Sequence, residues 1–85
     1  MSLFAIADGI KVRSVQLKRL SKKIRSTCSD IDYLRKRTPS EEQRHHHELK
    51  LRTAMHGLSS KMKEYTEIMM EINSHLITIK KHLKP

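Results

Sequence analysis

Two heptad patterns run through the chain, and they are out of phase with each other. In the first, position a holds Leu3, Ile10, Leu17, Ile24 and Ile31, and position d holds Ile6, Arg13, Leu20, Thr27 and Leu34. In the second, a holds Met55, Met62, Met69, Leu76 and Leu83, and d holds Leu51, Leu58, Tyr65, Ile72 and Ile79. Apolar residues at alternating three and four spacing share one side of an α-helix, whereas a half-buried strand alternates every second residue. Both halves therefore read as amphipathic helices with coiled-coil seams. Continued beyond Ile31, the first register puts a at Thr38, His45 and Arg52, while the second puts it at Glu48 and Met55. One straight helix cannot keep both seams on one side.

The phase is lost within RKRTPSEEQRHHHE, Arg35 to Glu48, which contains no member of either seam. Pro39 disfavours helical geometry at Thr38 and supplies no backbone donor. Thr38-Pro39-Ser40-Glu41 predicts a helix start, with Thr38 as N-cap, Pro39 as the first helical residue and Glu41 as the capping-box acid. Arg35, Lys36 and Arg37 fall where a helix C-terminus favours cations, and Glu41 and Glu42 where an N-terminus favours anions. The spacing predicts one domain over residues 1–85, with a helix at about 4–36, a turn at about 37–40 and a helix at about 40–83. So short a connection makes the arms antiparallel. At 1.5 Å per residue they are roughly 50 and 65 Å long.

The expected fold is therefore all-α, an antiparallel helical hairpin. Its interaction seam comprises Ile10, Leu17, Leu20, Ile24, Ile31 and Leu34 on the first arm. On the second it comprises Leu51, Met55, Leu58, Met62, Tyr65, Met69, Ile72, Leu76, Ile79 and Leu83. Apolar residues remain beyond the seam: Phe4, Val12, Val15 and Tyr33 on the first arm, and Ile68, Met70 and Ile77 on the second. A hairpin cannot bury them alone, and small chains often depend on partners for stability. Ile68, Met70 and Ile77 are the expected partner face, which would complete a three- or four-helix bundle with a partner or a second copy. Methionine at 55, 62, 69 and 70 suits a surface that adapts to its partner, and equally suits an ordinary core. Gly57 sits in mid-helix, either allowing a close helix approach or simply tolerated.

The formal net charge is +9, which favours polyanionic neighbours or an acidic counterpart. Lys11, Lys18, Arg19, Lys22, Lys23 and Arg25 are the candidate anion-binding residues, in a run without an acid. Lys11, Lys18 and Arg25 share one heptad position outside the seam, as on a solvated face. No aromatic residue is interleaved among the cations for base stacking, and no groove-reading motif accompanies them. Arg13 differs, because it occupies the seam: it either reaches out to water or meets an acid from another helix.

His45, His46 and His47 invite a metal reading. Consecutive helical residues point about 100° apart, so three in a row do not converge on one ion. No metal site is expected, and no cofactor. Nucleophilic catalysis needs an activated nucleophile in a pocket. Cys28 has no histidine near it in sequence, and the chain carries no Gly-rich phosphate loop. A non-enzymatic protein is expected, with no small-molecule substrate. A single cysteine excludes an intramolecular disulfide and fits a reducing compartment. The expected location is cytoplasmic, or the cytosolic face of a membrane. No apolar run approaches the ~20 residues that span a bilayer.

LKLRTAMHGLSSKMKEYTEIMMEI, from Leu49 to Ile72, resembles the third helix of the syntaxin N-terminal regulatory domain, with Arg52, Leu58, Lys61, Met62 and Met69 in comparable places. IKVRSVQLKRLSKKI, from Ile10 to Ile24, looks like that domain's middle helix. The resemblance covers two helices of a three-helix bundle. It implies a binding module that regulates membrane fusion in SNARE-dependent vesicle traffic, contacting a fusion helix or a regulatory partner protein. Three functions follow in order of preference. The first is a helical protein–protein interaction module, of the trafficking type the resemblance implies. The second is a small self-associating coiled-coil scaffold or chaperone-like adaptor. The third is a basic binder of nucleic acid or of an anionic membrane surface.

Overall fold

The computed structural model describes residues 2–84. Helix α1 spans Leu3–Lys36, a single 3₁₀ turn spans Glu41–Gln43, and helix α2 spans Arg44–Leu83. The two helices pack side by side as an antiparallel hairpin, and no strand occurs among the described residues.

Each boundary has a local cause. Ser2 is extended and its Oγ accepts from the Ala5 N–H at 3.2 Å, a hydroxyl N-cap that opens α1. α1 ends where Arg37 turns extended at φ −83°, ψ 136°. Arg37 folds back so that its guanidinium carbon lies 5.5 Å from the Tyr33 ring centroid. Arg35 and Lys36 occupy the last turn, beside the negative end of the helix dipole. At the far end, Lys80, Lys81 and His82 do the same for α2.

The second helix begins later than the capping signals predict. Thr38 and Pro39 lie outside it, and Ser40 is the last extended residue, at φ −67°, ψ 162°. The Gln43 N–H donates to the Ser40 carbonyl at 3.0 Å, closing the 3₁₀ turn before the α-ladder starts. No Thr38–Glu41 capping box forms. Outside the helix, Pro39 forfeits no ladder bond. Glu41 and Glu42 lie in this 3₁₀ turn, the opening turn of the second arm.

The seam on α1 follows the sequence pattern. Ile6, Leu20 and Ile31 are buried, and Ile10, Arg13, Leu17, Ile24, Thr27 and Leu34 are half-buried. α2 meets this seam with a different pair of rows from the expected one. Leu51, Leu58, Tyr65, Ile72 and Ile79 are half-buried, as expected. Beside them the half-buried row is His47, Ala54, Lys61, Ile68 and His75. The expected companions, Met55, Met62, Met69, Leu76 and Leu83, are 45–69% exposed. Ile68 accordingly belongs to the packed seam and not to the partner face.

The cause lies in the polar positions of α1. Arg13 donates from Nε to Glu71 in an ion pair. The Thr27 hydroxyl accepts from Lys61 Nζ at 3.1 Å while donating to the Lys23 carbonyl at 2.9 Å. His75 packs over Gly9, with Nε2 3.4 Å from where a β-carbon would stand. Arg13, Thr27 and Gly9 of α1 thus each have a counterpart on one flank of α2. A methionine row would offer Arg13 no acid and Thr27 no donor. Arg13 therefore finds its acid within its own chain.

Candidate interaction surface

The hairpin is long and thin, 68 × 15 × 14 Å, with a radius of gyration of 19.3 Å. A globular chain of this length has a radius of gyration of about 12 Å. The accessible surface is 7287 Å². Monomers of 10.0 kDa typically expose about 5,200 Å². The surplus of about 2,000 Å² exceeds the ~800 Å² that each partner contributes to a standard interface.

Two long faces flank the packed seam, and they differ in chemistry. On one, Arg13, Arg19 and Lys23 of α1 share a cleft with Lys61, Glu64, Glu67 and Glu71 of α2. Cations and carboxylates are intermixed there, and the Arg13–Glu71 ion pair lies within it.

The other face is apolar at its centre. The row Met55, Met62, Met69, Leu76 and Leu83 runs along α2 at heptad spacing. Met70 and Ile77, two rows further out by helical spacing, are 66% and 48% exposed. Opposite them α1 offers Ala7, Ser14, Ser21 and Cys28, small residues that leave room between the helices. Two depressions mark this groove. One, of about 350 Å³, is lined by Cys28, Ile31, Asp32, Arg35, Met55, Leu58, Ser59 and Met62. The other is lined by Leu17, Lys18, Ser21, Lys22, Arg25 and Tyr65. Two hydroxyls beside the groove are satisfied within their own helices: Ser14 donates to the Ile10 carbonyl at 2.8 Å and Thr66 to the Met62 carbonyl at 3.0 Å. Covering these two strands no donor.

The six candidate anion-binding residues do not form one patch. Arg19 and Lys23 line the mixed-charge cleft with the glutamates. Lys18, Lys22 and Arg25 line the groove face, and Lys11 continues the Lys18–Arg25 row by helical spacing. That row repeats every seven residues, about 10.5 Å apart on a helix. It makes a basic rim, densest where Lys18, Lys22 and Arg25 line one depression.

Of the histidines, His45 and His46 are exposed and His47 is half-buried, opening the packed row of α2. His46 and His47 line the depression under the turn with Leu34, Thr38 and Pro39. Among the described residues, no group of three or more His, Cys, Asp or Glu side chains could hold a metal ion. Cys28 is free and exposed. Gly57 is not a close-approach site: a β-carbon there would meet only Lys61 Nζ, at an ordinary contact distance of 3.7 Å. Among the described residues, no helix is long and apolar enough to cross a membrane.

Sequence reasoning put the methionine row in the heptad seam and left open whether it serves the core or a partner surface. The signal that would have placed it outside was the pairing of Arg13 and Thr27 with Glu71 and Lys61. Comparison of the chain with protein-family models, with curated proteins and with solved structures gives no match.

Proposed function

We propose that this chain is a non-catalytic helical interaction module that works by completing a bundle with helices it does not itself supply. One observation carries the reading. The apolar Met55–Leu83 row keeps heptad spacing over the length of α2, yet each of its five residues is 45% or more exposed. Large contiguous apolar surfaces of this kind mark sites of association. The mixed-charge face, by contrast, offers no comparable apolar stripe.

The narrower form of this reading, a regulatory module in vesicle traffic, rests on the resemblance of the Ile10–Ile24 and Leu49–Ile72 segments to the syntaxin regulatory helices. The self-associating scaffold is the form in which a second copy supplies the helices.

Thermal unfolding followed by circular dichroism tests the general reading. Only Ile6, Leu20 and Ile31 form the buried apolar core among the described residues. A hairpin with so small a core gains stability when its second seam is covered. The melting temperature is expected to rise either with protein concentration or on addition of an amphipathic helical peptide. A cooperative melt unmoved by both would sink the proposal.

A further inference from the structure

We infer that the groove between the methionine row of α2 and the small-residue row of α1 takes an acidic amphipathic helix from another protein. This deepens the interaction-module reading and rests on it.

The apolar part of the argument fixes the shape of the occupant. The floor is the groove-side edge of the seam, at half-buried Leu17, Leu58 and Tyr65 and buried Ile31. One wall is long and flexible, the methionines; the other is small, Ser14, Ser21 and Cys28. Unequal walls let a third helix settle close to α1 while methionine side chains adjust around its apolar stripe. The groove runs straight along two helices, so its complement is a helix with apolar residues at heptad spacing.

The charges fix its chemistry. Along the α1 rim stand Lys11, Lys18 and Arg25, the last two lining the groove itself. The outer rows of the α2 wall add Arg52, Lys63 and Lys80 by helical spacing. Acids are few on this face: Asp8 stands one turn before Lys11, and at the turn end Asp32 lines the groove and Glu48 precedes Met55 by one heptad. Glu64, Glu67 and Glu71, which could have balanced the rim, lie on the opposite face with Arg13 and Lys61. A second copy of this chain would bring the same cations against themselves, two chains each of net charge +9. A helix with Asp or Glu flanking its apolar stripe meets them instead.

The test uses the full chain and two fluorescent peptides of about four heptads, both with Leu at a and d, one flanked by Glu and the other by Lys. Fluorescence anisotropy is expected to show the Glu-flanked peptide binding at least about tenfold more tightly, with affinity falling as salt rises. Met62→Glu, at an exposed site, should lower that affinity about tenfold or more, with helicity unchanged by circular dichroism. The triple variant Lys11→Gln, Lys18→Gln, Arg25→Gln should weaken binding by about tenfold. Arg19→Gln, Lys23→Gln, Lys50→Gln removes the same charge from outside the groove and should weaken it less.

Equal weakening by the two triple variants would mean that net charge alone captures the peptide, and would overturn the inference. So would equal binding of both peptides. If neither peptide binds but sedimentation equilibrium shows a dimer that Met62→Glu dissociates, a second copy fills the groove; the inference then fails while the interaction-module reading stands. A chain that stays monomeric and binds neither peptide fails both.

Discussion

Two rows flank the Leu51–Ile79 stripe of α2, and the less apolar one is packed. His47, Ala54, Lys61, Ile68 and His75 face α1, while Met55, Met62, Met69, Leu76 and Leu83 face outward. Hydrophobicity alone would choose the methionine row. Matching polar positions choose the other: Thr27 to Lys61, Arg13 to Glu71, Gly9 to His75. A polar residue in a seam costs stability when unmatched, and its partner then dictates which helix face and which register are used. Because the packed seam uses the mixed row, a second and more apolar row is left exposed on α2.

The comparison breaks most sharply at the core. Leu20 is 6% exposed, and Met62 is 54% exposed. Leu20→Ala should cost about 2–3 kcal/mol in urea unfolding at low protein concentration. Met62→Ala should stay within about 0.5 kcal/mol under the same conditions. A Met62→Ala cost comparable to that of Leu20→Ala would return the methionine row to the inside of the hairpin. Methionine oxidation by peroxide reads the same contrast: Met62 and Met69 should oxidise readily in the free chain and slowly when the groove is covered.

Much of this was legible from residues alone. The 3.5-residue periodicity exposes both helices, and Pro39 with the phase slip exposes the turn between them. The seam of α1 was legible because its competitors, Phe4, Val12, Val15 and Tyr33, form no continuous row. The seam of α2 was not, because three adjacent rows carry apolar residues and periodicity cannot rank them. What ranks them is a set of side-chain pairs separated by 34 to 58 residues in sequence. The late start of α2 was hidden for a related reason. Thr38 and Ser40 are both competent N-caps, and the choice between them is made by the path of the turn.

The two glycines sharpen the comparison at an intermediate scale. Gly9 faces the packed flank and Gly57 does not. Gly57→Ala should stabilise the hairpin by about 1 kcal/mol, since alanine favours the helix and the new methyl meets only Lys61 Nζ at 3.7 Å. Gly9→Ala gains the same propensity, but its methyl would lie 3.4 Å from His75 Nε2, so the net gain should be smaller. Gly9→Leu should displace His75 and destabilise. If Gly9→Leu were as benign as Gly57→Ala, His75 would not be part of the packed row.

The smallest effect concerns the pair that does most to choose the flank. The side chains of Arg13 and Glu71 are 35% and 52% exposed, so water screens their attraction. A double-mutant cycle with Arg13→Ala and Glu71→Ala should give a coupling of only about 0.5 kcal/mol, falling as salt rises. A weak pair can still select a packing when the alternatives differ by little. Replacing Arg13 and Lys61 together by leucine removes the polar preference on both helices. That variant should unfold no more easily than the parent, yet Met62 should become partly protected from peroxide as the methionine row competes for α1. Undiminished oxidation of Met62 in it would show that the packed flank is chosen by shape, through Ala54, Ile68 and Gly9, and not by its polar pairs.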